Sequence, residues 1–151
     1  MARWTFLPLL AAVALSGLPA AAQTLTVNIT NVNSSEGHVF ATICDDPAGQ
    51  FPGVCNTGVA MTNAVEGTTT VKFLNVSPGT YAFQAFHDAN GDMMPNVPSE
   101  GYAFGNDAPF PVSFEAASLK VDGNTTATAR MTYLGNPGAA KDPGPERSQT
   151  R

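Results

Sequence analysis

The sequence predicts an all-β fold: an antiparallel Greek-key β-sandwich, immunoglobulin-like or prealbumin-like, with about seven strands. Three observations carry this. Apolar and polar residues alternate with period two in six or seven short segments at near-regular spacing. No helix-length run with a 3.6-residue period occurs after residue 22. The chain holds 14 Gly and 12 Pro in 151 residues, and only 13% of it is charged, which describes a turn-rich, weakly charged domain rather than a coiled coil or a disordered chain. A closed barrel is the runner-up architecture. The length gives room for one compact domain.

Taken in order, residues 1–22 read as a secretory signal peptide. Arg3 and the amino terminus supply positive charge, residues 6–18 are mostly apolar, and Ala20 and Ala22 fit the small-residue positions of a cleavage before Gln23. Ser16, Gly17 and Pro19 interrupt the run short of the roughly 20 apolar residues that a membrane span needs. No transmembrane anchor is therefore expected in the mature chain, which should be exported to a periplasmic or extracellular location. The domain is expected over residues 23–134. Leu25, Val27 and Ile29 alternate with Thr26, Asn28 and Thr30 as a first strand. Val39, Ala41 and Ile43 mark a second over residues 38–44, and the Ser34–Gly37 turn between the two predicts a hairpin. Residues 59–65 form a weaker strand and 68–76 a stronger one. Tyr81, Phe83 and Ala85 alternate with Ala82, Gln84 and Phe86, apolar on both sides, as expected of a central strand covered on both faces. A long irregular stretch runs from Asp88 to Pro111. Residues 118–121 and 125–134 complete the set. Residues 135–151 contain no apolar side chain larger than Ala or Pro and are expected to form a disordered tail.

Charge excludes one class of partner. The net charge of −5 and pI near 4.7 leave no basic surface to neutralise phosphates, so nucleic acid is not expected to bind. After cleavage, six Lys and Arg stand against twelve Asp and Glu, a net −6. Export places Cys44 and Cys55, the only two cysteines, where thiols oxidise, and a disulfide between them is expected. Their spacing is not that of a Cys-x-x-Cys redox or metal pair.

The richest stretch chemically is residues 87–100. Asp88, Asn90 and Asp92 recur at alternate positions. In an extended strand such side chains lie about 7 Å apart, too far to share an ion, so only a tight turn of the kind Gly91 permits brings them together. Calcium takes about 6 to 8 oxygens at about 2.3–2.6 Å. Asp88, Asn90, Asp92, Asn96 and Glu100, with a backbone carbonyl near Met94, can supply such a shell. The register excludes an EF-hand, because Met93 stands where that loop has its turning Gly and Ser99 where it has its bidentate Glu. Two other readings stand beside calcium. The same carboxylates can serve only as Asx-turn formers bonding their own backbone. Alternatively His87, Met93 and Met94, with His38, can be read as a soft-metal site of a copper-handling protein.

Four blocks give the chain a specific resemblance. Residues 78–82 (PGTYA), 87–92 (HDANGD), 98–106 (PSEGYAFGN) and 114–117 (FEAA) resemble the signature of a bacterial family of small exported proteins, domain of unknown function 2141. The resemblance covers about residues 24–134 and implies a small extracytoplasmic β-sandwich without an assigned activity. In that family the loop usually reads Asp-x-Asn-x-Asn-Gly with a further Asp; here Asp92 replaces the second Asn, Met93 the Gly, and Asn96 stands about where the Asp falls.

Tyr102, Phe104 and Asn106, set among glycines, form a possible ligand surface for a sugar or peptide, or else fold back to cap the core. No catalytic residue is assigned. Asp88, Asp92 and Glu100 can serve as acid and base only in a small periplasmic hydrolase, the enzymatic alternative, and no Gly-x-Ser-x-Gly nucleophile setting is present. The reading is a non-enzymatic extracytoplasmic binding or structural module with calcium as its cofactor and an unidentified ligand or protein as its partner.

Overall fold

The computed structural model describes residues 22–55, 57–96 and 99–135. The body of the expected signal peptide, residues 1–21, and residues 136–151 of the expected tail lie outside the described residues. The described residues form eight strands: β1 (Gln23–Val32), β2 (His38–Cys44), β3 (Gly58–Asn63), β4 (Gly67–Val76), β5 (Gly79–Asp88), β6 (Tyr102–Phe104), β7 (Ser118–Val121) and β8 (Thr125–Arg130). Among the described residues the only helical element is a 3₁₀ turn, Gly105–Asp107. One sheet has the order β4-β1-β8. The other runs β3-β2-β5, and the far edge of β5 is shared by β7 along its first half and β6 along its second. The two sheets do not close into a barrel.

The alternation read from sequence becomes the core. Leu25, Val27 and Ile29 on β1 and Val71 and Phe73 on β4 meet Val39, Ala41 and Ile43 on β2 and Phe83 on β5. Phe73 and Phe83 make an edge-to-face pair, centroids 6.3 Å apart. Each fully buried side chain of this size is worth about 1.5–3 kcal/mol. β5 is central, as its two apolar faces predicted. Its inner face joins this core, while Ala82 on its outer face lies under a second cluster of Phe104, Ala108, Val112 and Ala117, with Phe51 and Phe114 packed on it. The segment after β6 and the loop after β2 are thus folded over the outside of the larger sheet.

Several expectations need correction. β1 and β2 do not form a hairpin: β1 pairs with β4 and β8, β2 with β3 and β5. Asn31 takes a left-handed φ of 61° where the β1–β4 register slips, and the chain crosses from one sheet to the other. The sandwich is not wholly antiparallel, because β8 runs parallel to β1. β3 ends at Asn63 rather than 65 and β8 at Arg130 rather than 134. β6 lies inside the stretch expected to be irregular. It is only three residues long and exists because β5 offers it an edge. Beyond β8 the chain changes sheet. The Met131 N–H still donates to the Thr30 carbonyl of β1, whereas Thr132 and Tyr102 exchange two backbone bonds of 2.8 and 2.9 Å.

Cys44 and Cys55 are disulfide-bonded, with Cα atoms 5.1 Å apart. Gln84 on β5 holds the enclosed loop at Gly53, whose N–H donates to Oε1 (3.2 Å) and whose carbonyl accepts from Nε2 (2.7 Å). Phe51, from the same loop, meets Phe104 and Phe114 edge-to-face. The chain-entropy model gives closure of so short a loop about 3 kcal/mol. A Cys44→Ala/Cys55→Ala protein is expected to lose about that much in a urea titration, with the β-sheet circular dichroism retained.

Candidate functional site

β5 ends in His87 and Asp88, both wholly buried; by strand alternation His87 continues the inner face of Phe83 and Ala85, while Asp88 lies on the opposite face, under the loop that follows it. The approach is close. Gly37, in the β1–β2 connection, sits so tightly on the Asp88 backbone that a Cβ there would overlap its carbonyl oxygen. Beyond Asp88 the chain turns around the carboxylate. Oδ1 accepts from the N–H groups of Gly91 (2.9 Å) and Asp92 (3.1 Å), and Oδ2 from that of Met93 (3.1 Å). Two left-handed residues make the turn possible, Gly91 at φ 74° and Met93 at φ 61°. Glycine takes such a φ without penalty, whereas Met93 bears a cost of about 1–2 kcal/mol.

Glu100 closes the loop from its far end. It is almost entirely buried, accepting the Ala89 N–H on Oε1 (3.1 Å) and the Asn96 N–H on Oε2 (2.9 Å). Asp92 is the exposed member. Its oxygens accept the Met94 N–H (2.8 Å) and the side-chain amides of Asn96 (2.8 Å) and Asn90 (3.0 Å). The Met94 N–H first, and then the two amides, hold its carboxyl below the usual carboxylate value of 3.8. A depressed folded-state value means that its contribution to stability is complete above that pH and is lost as acid protonates it.

The fold therefore brings all five expected metal-site residues together. Oxygens of Asp88, Asp92 and Glu100 lie within 4.8 Å of one another. Two oxygens on one calcium ion can be at most about 5 Å apart, so the three carboxylates already fall within one shell. They also retain acceptor capacity. A carboxylate offers about four lone-pair sites, of which these hydrogen bonds use three on Asp88, two on Glu100 and three on Asp92. Asn90 and Asn96 turn amide nitrogens toward Asp92, and as calcium ligands both would have to present their oxygens instead. Among the described residues no cation offsets the cluster; the salt bridge they form, Lys120–Asp122, is at an exposed surface position.

Beside the acids lies a polar network that sequence reasoning missed. His87 Nε2 is 2.8 Å from the Glu36 carbonyl and Nδ1 is 2.8 Å from the Tyr133 hydroxyl, which also accepts the Asn33 N–H at 3.1 Å. A carbonyl only accepts, so Nε2 carries the hydrogen, and in the neutral ring Nδ1 accepts from Tyr133. Burial pushes the Tyr133 hydroxyl above its usual value of 10, against the opposing pull of the Asn33 N–H. His87 thus ties three chain segments together. Both of its nitrogens are engaged in hydrogen bonds, and Met93 and Met94 stand exposed in the adjoining loop. Asp88 and Glu100 are buried and hold backbone N–H groups on both oxygens, whereas Asp92 faces water.

Of the three residues of the expected ligand surface, Tyr102 and Phe104 stay together at one cleft and Asn106 does not line it. Phe104 is buried in the second cluster. Asn106, at φ 56°, donates to the carbonyls of Ala116 (3.2 Å) and Ser118 (2.8 Å) and so pins its own loop. Tyr102 is half-buried, 5.5 Å from Phe104 between ring centroids, and borders a cleft.

Residues 27–129 match the model of a family described as an uncharacterized protein conserved in bacteria, DUF2141. The chain belongs to this family. The DUF2141 match runs from β1 to the penultimate residue of β8, so it spans both sheets and includes the whole acidic loop. No curated protein and no solved structure matches the chain. Among the described residues no helix is long and apolar enough to cross a membrane, and the disulfide is compatible with an exported DUF2141 protein.

Proposed function

We propose that this DUF2141 chain is a non-enzymatic extracytoplasmic binding or structural module, exported through a signal peptide over residues 1–22, whose Asp88–Glu100 loop binds calcium. The observation that supports calcium is the meeting of three carboxylates within 4.8 Å, two of them buried, with no basic side chain paired to them among the described residues. Neighbouring buried carboxylates repel, and a divalent ion offsets that repulsion while filling the lone pairs the loop leaves open. Bound calcium would join the end of β5 to the start of β6 and so fix the long connection between them.

Millimolar calcium is expected to raise the melting temperature, and magnesium to do so less, because its rigid octahedral shell fits an irregular loop poorly. At 100 times its dissociation constant, an ion that binds only the folded state adds about 2.7 kcal/mol. Asp92→Asn, at an exposed position, should weaken the response, and Asp88→Asn/Asp92→Asn should abolish it. Identical melting in calcium and in excess chelator would leave the carboxylates as turn formers only. A response that survives the double change would place the ion elsewhere.

A further inference from the structure

We infer that the cleft between β6 and β8 is a binding site for a single sugar ring. The inference adds a ligand class to the binding-module reading above and rests on that reading, but not on calcium. The cleft, of about 330 Å³, is bordered by Tyr102, Phe104, Asp107, Phe110, Arg130 and Thr132, and lies at the low end of the range for small-molecule sites.

Its origin is a fork in the strands. Tyr102 and Thr132 exchange both backbone bonds, but the pairing stops there, because the N–H of Arg130 donates instead to Asp107 Oδ1 at 2.6 Å. The Gly101 carbonyl accepts from His87 on β5, so by antiparallel alternation the N–H and carbonyl of Phe104 point, like those of Tyr102, away from β5 and toward the fork. The Met131 N–H bonds to β1, so the Arg130 carbonyl points away from β1 and toward the same gap.

The side chains there supply the rest. Among the described residues the Arg130 guanidinium and the Tyr102 hydroxyl have no hydrogen-bond or ion-pair partner, although Arg130 is one of only six cationic side chains after residue 22. Phe110 is 66% exposed, an unusual position for a phenylalanine. The cleft therefore combines aromatic surface from Tyr102 and Phe110, five guanidinium donors, acceptors at the second Asp107 oxygen and the Arg130 carbonyl, and hydroxyls that do both. An apolar ligand would desolvate the guanidinium and carboxylate without return. A simple anion would meet Asp107. A pyranose has an apolar ring face for the aromatics and a rim of hydroxyls that both donate and accept, which matches the mixed set.

Saturation-transfer NMR on the full mature chain tests this, with glucose, galactose, mannose and N-acetylglucosamine and the uronates of the first two at about 10 mM, where weak single-ring binding is detectable. At least one is expected to receive saturation. Phe110→Ala/Arg130→Ala, both at exposed positions, should reduce it at least tenfold with the melting temperature unchanged. Asp88→Asn/Asp92→Asn should leave it intact in chelator, so failure of the calcium reading and failure of this one are separable. No transfer to any of these sugars, transfer retained in Phe110→Ala/Arg130→Ala, or binding of an extended peptide in place of sugar would overturn the inference.

Discussion

An Asp88→Ala protein is expected to lose about 3–5 kcal/mol of folding stability, measured by urea denaturation. The side chain is wholly buried and accepts from three backbone N–H groups. Removing the acceptor leaves donors that each cost about 1–3 kcal/mol when unpaired and dry, less whatever water recovers as the loop opens. Asp88→Asn is the informative partner. It keeps the shape and one acceptor oxygen but turns an amide N–H toward one of the three donors, so its loss should fall between wild type and alanine. An alanine variant within about 1 kcal/mol of wild type would show that the loop is held by something other than this carboxylate.

Gly37→Ala should be damaging too, by about 2–5 kcal/mol, for a different reason. At φ 65° an L-residue is strained by about 1–2 kcal/mol, and the added Cβ would also overlap the Asp88 carbonyl oxygen and press on the Ala89 backbone. Backbone cannot step aside as a flexible side chain can, so β1–β2 and β5 must separate locally, at a cost of the order of 1–3 kcal/mol. Gly67 is the control. Its φ is 85°, yet nothing lies within 4 Å of where its Cβ would stand. Gly67→Ala should therefore show the strain alone, and equal losses at the two positions would refute the close approach of the β1–β2 connection to Asp88.

Period-two alternation made the layers of this fold legible but not their wiring. Val27 and Val39 could be assigned to a buried face because each strand carries that information within itself. Which strand lies beside which depends on partners far away in sequence, and the Ser34–Gly37 turn, reasonable for a hairpin, instead carries the chain between sheets. β6 was invisible because three residues carry too little pattern. In the loop, the spacing of Asp88, Asn90, Asp92, Asn96 and Glu100 was enough to propose that they meet, and the three carboxylates come within 4.8 Å of one another. Their unequal burial was not legible, since nothing local marks Asp88 and Glu100 as interior and Asp92 as wet. His87 and Tyr133 are 46 residues apart, and no feature of either segment announces the other.

The parallel β1–β8 pair bears on how the chain reaches this state. Its partners, Leu25 with Thr125 through Thr30 with Arg130, are each separated by 100 residues. A chain that emerges amino terminus first presents β1 at the outset, yet one whole edge of that strand stays open until the last strand appears. At synthesis rates of about 5–20 residues per second that interval is about 5–20 s. Throughout it the central strand of the smaller sheet offers unpaired backbone to any other strand nearby, a template for mispairing. Such non-local closure also places the domain among slow folders, those rich in long-range contacts. A chaperone that shields residues 25–30 until residue 130 is available should therefore raise the yield of folded protein more than one acting on any other segment.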